Sequence, residues 1–86
     1  MKMMIMIVKD QDADMLTREL TAANFRVTRV ASTGGFLRSG VVTLLMGLED
    51  DQVGPVVDRL RTMFQPPSAE PHVTLFVVPV EEFEQV

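Results

Sequence analysis

The chain has 86 residues, no cysteine and a net charge of −4 at pH 7. The missing thiols exclude a disulfide framework and a thiolate metal site. The acidic balance argues against polymeric DNA or RNA as the main partner, because those demand a basic footprint.

A chain of this length reads as a single domain spanning residues 1–86, and such a domain hides only about 60% of its unfolded surface. Hydrophobic residues nevertheless make up 47% of it. Part of that apolar supply is expected to be buried against other copies. The apolar run near the N-terminus, Met3 to Val8, has no small-residue cleavage site after it and is not read as an export signal. Nothing approaches the roughly 20 apolar residues of a membrane span, so the expectation is a soluble cytoplasmic protein.

In chain order, Met3–Val8 is apolar at every position and predicts a strand buried on both faces. A helix is predicted over Asp12–Ala23, with Asp12 as cap, Asp14 at the positive end of the dipole, and Ala13, Leu16, Leu20 and Ala23 on one face. Asn24 falls where a left-handed helix exit is expected. Phe25–Ser32 alternates as a strand, with Phe25, Val27 and Ala31 on one side and Arg26, Thr28, Val30 and Ser32 on the other. Gly34, Gly35 and Gly40 bracket a loop, and Val41–Leu48 is again apolar on both faces except at Thr43 and Gly47. A second helix lies between Asp50 and Phe64, with Val53, Val56, Val57, Leu60 and Phe64 on one face and Gly54-Pro55 near its first turn. QPPSAEP is a linker, Val73–Val80 the last strand, and EEFEQV an acidic tail.

The order β-α-β-β-α-β predicts an α+β, ferredoxin-like sandwich: an antiparallel four-stranded sheet with two helices on one face. Strands one, three and four are apolar on both faces, and two helices cannot cover both sides. The sheets of neighbouring subunits are the expected cover, since burial contributes about 25 cal/mol per Å² of apolar area.

The stretch STGGFLRSG, residues 32–40, combines features that suit an anionic, aromatic ligand. Paired glycines let backbone N–H groups approach an anion. Arg38 supplies a planar fork for phosphate or a purine edge, and Phe36 a face for stacking a base. A plain turn, with Phe36 and Leu37 folded onto the core, accounts for the same residues. Arg26 and Thr28 could hold an anion by charge and hydroxyl, or Arg26 could pair with a nearby carboxylate. No acidic residue lies between Glu19 and Glu49, whereas Arg26, Arg29 and Arg38 do, so a small anion has a locally positive home. The DQDAD run at residues 10–14 lacks the glycine and distal glutamate of a calcium loop and reads as capping. His72 has no cysteine or second histidine to share a metal and reads as structural. No nucleophile–base pair suggests catalysis.

The segments MKMMIMIVKDQDAD, NFRVTRVASTGGFLRSG, TLLMGLEDDQV and FVVPVEEFEQV together resemble the PII-like cyclic-di-AMP receptor family. The resemblance implies a cytoplasmic, non-enzymatic homotrimer that binds cyclic di-AMP between subunits, needs no cofactor or metal, and signals by loop rearrangement to a downstream protein. It implies ligand contacts from Asn24, Arg26 and Thr28, from the loop residues Gly34, Gly35, Phe36, Leu37 and Arg38, from Gly47, and from Gln85 in the tail. Two departures stand out. Members of that family carry asparagine after this loop's R-x-G, where this chain has Val41; and they carry a long loop before the last strand, where this chain has only QPPSAEPH. The alternative is therefore a PII-like adaptor that binds another nucleotide or none and acts through protein contacts.

Overall fold

The computed structural model describes residues 1–30, 40–66 and 69–86. Strand β1 spans Lys2–Lys9, helix α1 Asp10–Ala22, strand β2 Val27–Val30 and strand β3 Val41–Leu48. A single 3-10 turn at Asp50–Gln52 leads into helix α2, Val53–Met63, and strand β4 closes the order at Val73–Pro79.

The four strands form one sheet in the order β2-β3-β1-β4, and every neighbouring pair is antiparallel. This is the expected split β-α-β arrangement. The period-2 alternation of strands sorts the side chains onto two faces. Met4, Met6 and Val8 of β1 and Leu44, Met46 and Leu48 of β3 are buried, and they join Leu16 and Leu20 of α1 and Val56 and Leu60 of α2 in one core. Both helices therefore cover the same face. Among the described residues the core contains no buried polar or charged side chain, so it is held by apolar burial, about 1.5–3 kcal/mol for each large side chain. Phe25, Val27, Val53, Val57 and Phe64 pack against its margin, on the faces the spacing predicted.

The register fixes the composition of the other face. Thr28, Leu45, Ile5 and Phe76 form one row across the sheet, Val30, Thr43, Ile7 and Thr74 the next, and Gly47, Met3 and Val78 a third. No element of the described chain covers these rows, and Phe76 is 53% exposed.

The first helix begins at Asp10, two residues before the expected start, and Asp12 does not cap it. The cap position is Lys9, without a side-chain hydrogen bond. The Asp10 N–H instead donates to the Gly40 carbonyl at 2.8 Å, so backbone immediately before β3 satisfies a free helix donor. Asp14, expected at the helix dipole, forms an ion pair with Arg29 at 2.8 Å. At the other end Asn24 has φ 71°, the left-handed exit expected of it. Within the described residues β2 is shorter than the predicted Phe25–Ser32, because ladder pairing starts only at Val27; Ala31 and Ser32 lie outside them.

Candidate functional site

The expected ligand-binding residues fall into three groups. Asn24, Arg26 and Thr28 leave α1 and enter β2, and all three are exposed. Thr28 projects onto the open sheet face opposite Leu45. Gly47 sits opposite Met3 on the same open face, whereas Arg26 precedes the ladder, whose first pair is Val27 with Met46. Strand alternation therefore brings Thr28 to the open face, one row from Gly47, and Arg29 to the helix side, where Asp14 engages it.

The second group is the tail. Lys2 pairs with both Leu48 and Pro79, so β4 ends at the same end of the sheet as Gly47. It ends on the far edge, however, because β3 and β1 separate β2 from β4. Three strand spacings amount to about 14 Å. Gln85 is exposed and lies six residues beyond Pro79, the end of the strand on the edge opposite Thr28.

The third group, Gly34, Gly35, Phe36, Leu37 and Arg38, lies outside the described residues. Its flanks, Val30 and Gly40, stand toward the other end of β2 and β3: along the strand from Gly47, Gly40 is about 23 Å away and Val30, opposite Thr43, about 13 Å. Gly40 has φ +85°, a conformation that favours glycine. Gly47 differs. A Cβ there would meet only Met1 Cε, at 3.4 Å, so the packing of this chain does not itself require glycine at that position.

A cleft of about 540 Å³ opens at this loop-flank end, where Ile7, Lys9, Gly40, Val41, His72 and Thr74 are among its lining residues. Val41 is half-buried and pairs across the sheet with Lys9. Lys9 in turn pairs with Glu70 of the linker at 3.4 Å. Lys9 is the residue that reading the sequence missed. The apolar run of β1 ends at Val8, but the strand continues one residue further, and its parity places Lys9 on the open face.

The Asp12 carboxylate meets His72 Nδ1 at 3.0 Å, and the His72 ring stacks on Phe64 at 4.7 Å. Asp12 and Asp14 are thus committed to His72 and Arg29, and no three metal-ligating side chains cluster among the described residues. No helix among them is long and apolar enough to cross a membrane.

The four-stranded sheet with two helices on one face is the architecture of PII-like proteins. The structure of a nitrogen regulatory PII-like protein, CPII from Thiomonas intermedia K12, bound to ADP, AMP and bicarbonate, superposes with a TM-score of 0.67 at 18% identity, covering 90% of this chain and 88% of that one. CPII bound to ADP, AMP and acetate gives 0.62 at 17% identity, over 90% and 82%. A functionally unknown protein from Pediococcus pentosaceus ATCC 25745 gives 0.74 at 33% identity, over 99% of this chain and 96% of that one. The profile of the cyclic-di-AMP receptor family matches residues 1–66. The chain belongs to that family.

Proposed function

We propose that residues 1–86 form one PII-like domain, a non-enzymatic cytoplasmic regulator whose homotrimer binds cyclic di-AMP at its subunit interfaces and signals to a downstream protein by loop rearrangement. One observation carries the reading: among the described residues the sheet face away from the helices is apolar and uncovered, and expected ligand residues stand on it or border it. Thr28 and Gly47 lie in adjacent rows of that face, the tail follows the strand at the opposite edge, and Val30 and Gly40 flank the expected loop. Association through that face would bury its apolar rows and bring one subunit's edge to another's. Family membership and the adenine nucleotides held by CPII on the same fold support a nucleotide as ligand.

Arg26 and Arg38 are assigned to phosphate or adenine edges, Phe36 to stacking, the Gly34-Gly35 backbone to the anion, and Asn24, Thr28, Leu37 and Gln85 to the pocket wall. Calorimetry with cyclic di-AMP, cyclic di-GMP and ATP tests the assignment. Binding of the first by a folded trimer is expected, and silence under those conditions refutes it.

One feature favours the adaptor reading. Only residues 64–72 separate α2 from β4, so the long loop that the resemblance leads one to expect as effector arm is absent. A stable protein partner captured without added nucleotide, by a chain that binds none, would select it.

A further inference from the structure

Among the strand residues on the open face, Lys9 is the one charged side chain; the rest are apolar, threonine or glycine. Its position is specific. It closes β1, faces Val41 across the ladder and lines the cleft of about 540 Å³, a volume in the range of small-molecule sites. Gln11, Thr74 and the backbone of Gly40 also line the cleft, beside the carboxylates of Asp10 and Glu70.

Burying this face between subunits takes water from Lys9, and an ammonium losing water needs an anion. In the single chain that anion is Glu70, 3.4 Å away; its side chain is 77% exposed, against 31% for Lys9. An ion pair this open to solvent holds weakly. Glu70 belongs to the linker just before β4, two residues ahead of His72, whose carbonyl accepts a hydrogen bond from the Lys9 N–H at 3.4 Å. The better-shielded Lys9 is thus partnered by a carboxylate that water can readily take back.

We infer that Lys9 is a phosphate-binding residue of the nucleotide site and that Glu70 is the internal carboxylate the ligand phosphate displaces. The inference rests on the nucleotide reading above and adds to it both a contact and a form of regulation. Lys9 stays paired in both states, with Glu70 before binding and with a phosphodiester after it. Exchange of partner takes the Lys9 ammonium from Glu70, a residue of the segment that enters β4.

The test is calorimetry of cyclic di-AMP against the native chain, Lys9→Gln, Lys9→Arg and Glu70→Gln, each checked for assembly by sedimentation. Lys9→Gln should weaken binding at least about tenfold, the scale of a lost charge-assisted hydrogen bond, and Lys9→Arg should restore most of it. Glu70→Gln should tighten binding about threefold, the scale of an exposed ion pair. Added salt should weaken the native complex more steeply than the Lys9→Gln complex. Native binding with unchanged affinity in Lys9→Gln overturns the Lys9 contact and leaves the nucleotide reading standing. Native binding with unchanged affinity in Glu70→Gln overturns the competition. A native chain that binds no cyclic di-AMP overturns the nucleotide reading itself, and this inference with it. Should Lys9→Gln fail to assemble, Lys9→Arg with lost affinity would count against a simple phosphate contact, and Glu70→Gln still decides the competition.

Discussion

His72 Nδ1 lies 3.0 Å from the Asp12 carboxylate, joining the entrance of β4 to the first turn of α1 across 60 residues of sequence. Both side chains are largely shielded, at 29% and 16% exposure. The ring is also stacked on Phe64, at the end of α2, with 15° between the planes. Three elements meet on one imidazole. Asp12→Ala is expected to cost about 1.5–3 kcal/mol, the range for a hydrogen bond to a charged group. His72→Ala should cost more, by about 0.5–1.5 kcal/mol for the stacking. For a domain of this size each kcal/mol lowers the melting temperature by about 4–8 °C. Thermal unfolding at matched protein concentration measures both, and an Asp12→Ala protein melting with the native one would show the contact to be incidental.

The uncovered sheet face sets a second expectation. Leu45 and Ile5 sit side by side in its central row, and neither contributes to the core beneath the helices. Leu45→Glu should leave the secondary structure intact and break the proposed trimer, because a carboxylate at a dry interface is strongly disfavoured. Sedimentation velocity at micromolar concentration reads the outcome. A native chain that sediments as a monomer would remove the interface on which the proposed site depends.

The core gives a third. Leu16 and Leu20 are fully buried beneath the sheet, and replacing either by alanine should cost about 2–5 kcal/mol. Small domains have about 5–15 kcal/mol in total, with the smallest at the lower end. Chemical denaturation should therefore show a large loss of midpoint with little change in slope. A loss below about 1 kcal/mol would mean that the helix does not depend on this contact.

How much of this could be read from the residues differs by element. The two-sided apolar character of β1 and β3 exposed the sheet's second face, because period-2 alternation is a local property and both sets of positions were apolar. The helix faces at Leu16, Leu20, Val56 and Leu60 were legible for the same reason, as was the left-handed exit at Asn24. The start of α1 was not. Asp12 looks like a cap in isolation, but the partner of the first helix donor is the Gly40 carbonyl, thirty residues further on, and Asp12 is taken by His72. Arg29 and Lys9 were missed in a similar way. Their sides follow from strand parity, but their partners, Asp14 and Glu70, come from other elements. Local pattern gives the direction of a side chain; tertiary contact gives its partner.

The two arginines of the β2 segment make the site assignment testable within one short stretch. Arg26 is exposed just ahead of β2, whereas Arg29 is bound to Asp14 on the helix side at 2.8 Å. Arg26→Ala should lower cyclic di-AMP affinity at least about tenfold, the scale of a lost charge-assisted contact. Arg29→Ala removes the same charge from the same strand region and should leave affinity within about threefold, since its exposed ion pair contributes about 0–1 kcal/mol. Calorimetry on the two variants separates a specific contact from a general loss of positive field. Equal losses in both would assign the effect to net charge and take Arg26 out of the site.

Val41 allows an experiment in the opposite direction, a gain rather than a loss. It is half-buried, faces Lys9 across the ladder and lines the loop-flank cleft. The family resemblance places asparagine here, and an amide can both donate to a phosphate oxygen and accept from a base edge. If the site lies in this cleft, valine leaves one ligand polar group without a partner, a deficit of about 1–3 kcal/mol. Val41→Asn should then tighten cyclic di-AMP binding by roughly five- to a hundredfold and raise the ligand-induced melting shift accordingly. The substitution removes only a partly buried apolar side chain at a strand start, so the ligand-free protein should lose little stability. A variant that folds, assembles and binds no more tightly than the native chain would place the ligand away from Val41. It would also locate the difference from the family in the shortened linker between Phe64 and His72 rather than in the loop.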